Sequence, residues 1–413
     1  MRPIQQDHRT LLTVFVTLAI TYGVWYSYSV YLVALVGEFG WSRSLVAGAF
    51  SFFLLVHGAV GPLAGWALRR MGARAPIAAG AGLVGAGLLL AAETDSWWHL
   101  YGAFGFITAV GMGLCGWIPA VVLVRGWFPR RVGTAMGIAS AGIGVGILAM
   151  IPFTQLLIDG WGWRWAFRFQ AVMTVAWVVP ATCWLVRDPP EPPPATGKRS
   201  GPSPRAWTLA MAVRTPRFWG LAAGYFVANF VTQMLLVHQV AYLVDHGVAP
   251  LTAATVGGAV GLVSIGGKIG WGLLSDRRGR EVAVTLAFAC VAASVGALVL
   301  AGRVPAPPAL YLYALLIGLG YSVLSAVFPA VAADLYGGPG FSTIYGSLYT
   351  IICIGLASGA WFAGKTFDLT GSYAIALWVG LLMALATPAI FWWVVAPRRA
   401  NPPPAGRSAG SRF

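Results

Sequence analysis

The feature that most limits what this chain can become is a succession of long apolar runs. Two of them, Leu11 to Val36 and Val282 to Ala301, hold no charged residue. About 20 apolar helical residues cross the hydrocarbon core of a bilayer. In lipid a backbone must satisfy its own polar groups, so such runs are expected as spanning helices. Charged residues make up only 9% of the 413 positions and hydrophobic ones 58%. A soluble domain carries roughly a quarter charged residues, so this chain has too few to cover a water-facing surface. The runs place spans at 11–37, 43–68, 75–94, 98–124, 131–158, 165–186, 217–245, 250–274, 282–302, 308–334, 341–364 and 372–397. The first run is too long for a signal-peptide core and lacks a small-residue cleavage site, so it is expected to remain as the first span.

The net charge of +15 has a membrane explanation. Connections on one side carry few cations, mainly Arg43, Arg164 and Arg303. The other side collects Arg69, Arg70, Arg74, Arg125, Arg130, Arg131, Arg277, Arg278, Arg280, Arg398 and Arg399. Cations gather on the cytoplasmic side of membrane proteins, so both termini are expected in the cytoplasm, and nucleic acid is not an expected partner. Cys115, Cys183, Cys290 and Cys353 stand singly in apolar runs, with no CxxC pair and no neighbouring His. They read as packing residues, and no metal or cofactor is expected.

A Pro-rich, basic stretch between Arg187 and Arg217 cannot span a membrane and divides the chain. The expected organisation is a six-helix bundle over 1–187, a cytoplasmic loop over 188–214, a second bundle over 215–399 and a tail over 400–413. The two sides resemble each other at a near-constant offset. Arg69 in GWALRRMGAR matches Asp276 in GLLSDRRGR at 207 residues. Gly137 in VGTAMGI matches Gly346 in FSTIYGS, and Asp159 in LIDGWGW matches Asp368 in TFDLTGS, both at 209. The fold class is therefore an all-α membrane protein of twelve transmembrane helices in two six-helix halves. Parallel repeats of this kind hold substrate between them near the bilayer midplane.

GLLSDRRGR, Gly272 to Arg280, resembles the Gly-x-Leu-x-Asp-Arg-x-Gly-Arg loop motif of the major facilitator superfamily. WFPRRVGTAMGIASAGIGVG (Trp127 to Gly146) and EFGWSRS (Glu38 to Ser44) resemble segments of its monocarboxylate transporters and their oxalate/formate antiporter relatives. The resemblance implies a secondary transporter of a small organic monoanion, a monocarboxylate, moved by alternating access with or without a proton. It also implies a cytoplasmic latch of Asp276, Arg277 and Arg280 with Arg130 and Arg131; the first-half copy has Arg69 where the family has Asp.

Lys268 is the most informative single residue, because a Lys at a helix centre costs roughly 2.5–3.5 kcal/mol on insertion scales. It precedes Asp276 by 8 residues, about 12 Å of helix. The resemblance puts it where a monocarboxylate carrier has an Arg that holds the substrate carboxylate. His238 and Gln233, with Asn229 and Gln239, give the seventh helix a polar stripe suited to a cavity. Tyr28, Trp117 and Tyr321 are expected to complete the substrate site. Trp97, Trp98, Trp161 and Trp163 read as interfacial anchors, and Lys365 with Asp368 as interfacial charges. The eighth helix has Ser264 where proton-coupled relatives have Asp, which weakens the case for proton symport. An anion exchanger or an efflux carrier for an amphipathic compound is the competing transport reading. A membrane-embedded enzyme would need converging nucleophile, base or metal ligands, and a sensor a soluble output domain; neither set is visible. The expected partners are lipid, a small anionic substrate and a proton. The chain is expected as a monomer in a bacterial inner membrane.

Overall fold

Among the described residues, twelve helices in the computed structural model are long and apolar enough to cross a membrane. The structure describes residues 3–128, 132–188, 207–337 and 340–395. In chain order the spans are α1 His8–Phe39, α2 Arg43–Met71, α3 Arg74–Ala92, α4 Trp97–Trp127, α5 Ala135–Trp161 and α6 Trp163–Leu185 in the first half. The second half holds α7 Pro216–Asp245, α8 Pro250–Arg278, α9 Arg280–Arg303, α10 Pro307–Tyr336, α11 Phe341–Thr370 and α12 Ala374–Val395. With an even number of spans the start of α1 and the end of α12 lie on one side, called here the terminal face. The opposite side is the far face. Most of the expected central loop and the tail lie outside the described residues, apart from one helical turn at Leu209–Ala212.

The packing repeats six helices on. In the first half α1 packs on α5, α2 on α4 and α3 on α6; in the second, α7 packs on α11, α8 on α10 and α9 on α12. The sequence offsets reappear as geometry. Gly146 of α5 presses on the carbonyl of Ala19 in α1, and Gly355 of α11, 209 residues later, would put a Cβ 2.6 Å from the carbonyl of Phe226 in α7. Ala19 and Phe226 are themselves 207 apart. Any larger side chain at either glycine would push two backbones apart.

Three spans are interrupted, and two of the breaks are related by the repeat. α4 stops at Gly116 and resumes at Trp117, ahead of Pro119. α10 breaks at Val327 and resumes at Phe328, ahead of Pro329. Proline lacks the N–H that would bond one turn back and so favours a helix break. α1 turns at Ser27, between Tyr26 and Tyr28.

The halves meet along two seams, α2 against α11 and α5 against α8, and the far segment of α1 also packs on α7. The terminal stretches of α4 and α10 pack within their own halves. From Ala228 to Leu243 every residue of α7 is buried, so this helix is enclosed on all sides toward the far face.

Candidate functional site

At the α5–α8 seam, glycines let the backbones touch. A Cβ on Gly144 would lie 2.7 Å from the Gly261 carbonyl, and one on Gly261 would lie 2.6 Å from that of Gly144. Lys268 follows Gly261 by seven residues, two turns, and so shares its face of α8. Its half-buried side chain reaches across the seam, with Nζ donating to the carbonyl of Ser140 at 3.3 Å. That long bond is the one described for an ammonium with three donors.

The polar stripe of α7 is buried throughout, but its members differ. Asn229 donates to the Tyr225 carbonyl at 2.7 Å and Gln239 to the Leu236 carbonyl at 3.1 Å, both within the helix. Among the described residues, the Gln233 amide nitrogen and the Tyr321 hydroxyl have no hydrogen-bond partner. Trp117 is half-buried and begins the second stretch of α4 just after the Gly116 break.

Tyr28 does not join these residues. Its hydroxyl donates to the Val46 carbonyl at 2.6 Å, and its ring lies 4.9 Å from Phe50 and 4.7 Å from Phe104, all in the first half. It is a core residue because the turn at Ser27 directs it inward. Trp163 also departs from expectation. Trp97, Trp98 and Trp161 are exposed, but Trp163 is buried and donates its indole N–H to Glu38, which also pairs with Arg164 at 2.5 Å.

The strongest polar contacts across the halves lie at the far face, on residues that the sequence of a single helix marks only as loop or interfacial charges. Arg43, at the start of α2, forms a two-pronged pair with Asp245 at the end of α7: Nη2 to Oδ1 and Nη1 to Oδ2, each 2.7 Å. Its Nη1 also donates to the Tyr373 hydroxyl at 2.6 Å, and its guanidinium lies 3.8 Å above the Phe367 ring. Asp368 of α11 accepts from the amides of Arg43 and Ser44, both at 2.8 Å. It therefore caps the N-terminus of α2 from the other half, where helix amides and dipole favour an anion. Asp368 is thus a bond between halves rather than an interfacial charge. Burial pushes the Tyr373 phenol up, so it stays a proton donor. Behind it, His238 Nδ1 lies 3.0 Å from the Tyr373 hydroxyl, and Nε2 lies 2.8 Å from the Ala360 carbonyl. The signal available beforehand was the repeat, which paired Asp368 with Asp159. Asp159 is instead held in its own half, by Gln155 at 2.8 Å.

At the terminal face the loop motif is engaged within one half. Arg280 donates to Asp276 at 2.6 Å, to Ser275 at 2.8 Å and to Asp334 of α10 at 3.0 Å. Arg277 is exposed at the end of α8, while Arg130 and Arg131 lie outside the described residues. In the first-half copy the missing motif carboxylate has a substitute: Asp188, just beyond α6, accepts from the Ala73 amide at 2.6 Å.

Twelve spans, a six-helix packing repeat and a lysine set across an inter-half seam are the features of a membrane transporter of the two-bundle type. The comparison with known families agrees. Residues 14–355 match the Major Facilitator Superfamily, and the chain belongs to that family. It is 27% identical over 384 residues to monocarboxylate transporter 13 of Bos taurus, covering 91% of this chain and 86% of that one. It is 26% identical over 321 residues to the oxalate:formate antiporter of Oxalobacter formigenes, with 76% and 74% covered. A bacterial homologue of the human lysosomal transporter Spinster shares the fold, with a TM-score of 0.65, 18% identity and coverage of 95% of this chain and 96% of that one.

Proposed function

We propose that the protein moves a small organic monoanion, a monocarboxylate, by alternating access, with Lys268 as the residue that holds the carboxylate. The observation that carries this reading is an ammonium placed at the seam between the halves, with a single 3.3 Å bond to a carbonyl. A cation in a low-dielectric setting is costly without an anion, and a substrate carboxylate can supply one. One cation suits one carboxylate, and this reading assigns Trp117, Tyr321 and Gln233 to an aromatic surround with a polar atom or two for orientation. The named activities of the relatives, monocarboxylate transport and oxalate:formate exchange, point to the same class of cargo. The cations gathered on the terminal face support a cytoplasmic position for it.

In this arrangement the far face is shut, so cargo would exchange on the terminal side. Tyr28 has no part in the site proposed here.

Equilibrium binding of a labelled monocarboxylate panel to reconstituted protein tests the assignment. Lys268→Gln is expected to abolish saturable binding, and Lys268→Arg to retain part of it, because the charge stays while the geometry changes. If Lys268→Gln binds as tightly as the parent, the carboxylate is held elsewhere. If no monocarboxylate shows saturable binding to the parent, the cargo belongs to another class.

A further inference from the structure

His238 joins the far-face lock through hydrogen bonds that run in one direction. A carbonyl can only accept, so the 2.8 Å contact with Ala360 places the ring hydrogen on Nε2. Nδ1 of the neutral ring is then bare and accepts from the Tyr373 hydroxyl at 3.0 Å. The Tyr373 oxygen in turn accepts from Arg43 at 2.6 Å. The chain thus reads Arg43 to Tyr373 to His238 to Ala360, with every hydrogen used once, and it is complete only when His238 is uncharged.

We infer that His238 is a proton-binding site whose occupancy is read by the far-face lock, so that the far face closes on the neutral ring and opens on the protonated one. A proton added at Nδ1 creates an N–H that faces the Tyr373 oxygen. The phenol must then turn its own hydrogen away, and two cations bear on one oxygen. The other groups around the ring offer little relief. Asp245, on its own helix, is held by both prongs of Arg43, and Asp368 of α11 is held by the α2 amides. His238 lines a small cavity together with Gln239 and Tyr242 of its own helix, Leu298 of α9, Ala363 of α11, and Ala376 and Leu377 of α12, none of which carries a charge. Linkage then requires the converse: a far face forced open binds the proton more tightly. Loading from the far side and release after closure would tie proton movement to the cycle, with no central carboxylate. This inference deepens the transporter reading and rests on it.

The test uses conformation, so that it does not depend on the cargo. Spin labels at exposed far-face positions, Asp95→Cys in the first half and Val304→Cys in the second, report the opening by electron–electron distance measurement in nanodiscs. Cys183, Cys290 and Cys353 are replaced by Ala, and the buried Cys115 is kept. From about pH 8 to about pH 5, the range in which histidines titrate, the open-to-closed ratio of the parent is expected to rise, by at most about tenfold per pH unit for one linked proton. His238→Gln, whose amide can still donate to Ala360, should show the closed distance at pH 8 and change less than about twofold across the range. Tyr373→Phe removes the reader and should be more open at pH 8, with the slope likewise flattened. A parent with no pH dependence, or either variant with the parent's slope, overturns the inference. If the parent opens with acid as described but no monocarboxylate binds, the cargo assignment fails and the proton site stands.

Discussion

The two faces of the molecule carry very different amounts of charge and use it differently. At the far face, Arg43, Asp245, Asp368 and Tyr373 are drawn from both halves, and their bonds cross the gap. At the terminal face, Arg280, Asp276, Ser275 and Asp334 all belong to the second half, and Asp188 serves the first. One face is bolted shut while the charges on the other brace individual bundles. Alternating access requires the bolts to trade places. The far-face pair is the better shielded of the two, with 13% of Arg43 and 30% of Asp245 exposed against 25% of Arg280 and 70% of Asp276. Equal-looking ion pairs therefore differ in strength, because water screens the second far more than the first.

The largest effect is expected from cutting the bolt. Arg43→Ala leaves Asp245 without its partner and should shift the closed far face toward opening by about 2 kcal/mol, the low end for removing one partner of a buried, hydrogen-bonded charge pair because Asp245 is 30% exposed. Native Cys353 reports this, since it is buried in the α2–α11 seam against Gly58. Its labelling by an impermeant maleimide from the far side should speed up, and an unchanged rate would show that the seam holds without Arg43. Arg43→Lys, which keeps the charge but loses the fork, should fall between parent and Ala, at about half that shift.

A smaller change is expected at the terminal face. Asp276→Asn leaves Arg280 paired with Asp334, so the folded protein should lose less than about 1 kcal/mol, and Cys353 labelling in this state should stay as in the parent. If Asp276 bonds across the halves when the far face is open, its initial uptake rate will nonetheless drop below that of Arg69→Ala at matched expression. Equal rates for the two would break the comparison, by showing that the terminal face never forms a bolt through this residue.

The smallest effect belongs to Glu93, an exposed carboxylate on the far face. A hydrogen bond from Arg168 at 2.6 Å holds it below the usual carboxylate range. Its folded value is depressed, so its contribution is present above the unfolded value of about 4.3 and is lost as pH falls through the folded one. Melting curves of the parent and Glu93→Gln should therefore differ slightly at neutral pH and converge in acid. A difference that persists in acid would mean that Glu93 acts through packing rather than charge.

Several of these features could be read along the chain because they repeat along the chain. Span positions follow from apolar length, and the offsets of 207 and 209 residues reappear in the packing, where Gly146 meets Ala19 and Gly355 meets Phe226. Lys268 stood out for a related reason: a lone amine in an apolar run is anomalous whatever surrounds it. Tyr28 and Trp163 were misplaced by the same reasoning. In a membrane helix both the lipid side and the protein side are apolar, so residue type does not tell which way a ring points.

The sequence by itself determined that this chain spans a membrane twelve times in two related halves, since hydrophobic length and internal repetition are local properties. Only the tertiary structure decided the lock. Arg43 meets partners 202, 325 and 330 residues away, at a surface that exists only when the two bundles tilt together. The physical reason is that an exposed Arg or Asp at a helix end costs almost nothing alone, so nothing in its local sequence marks it until another half arrives to bury it.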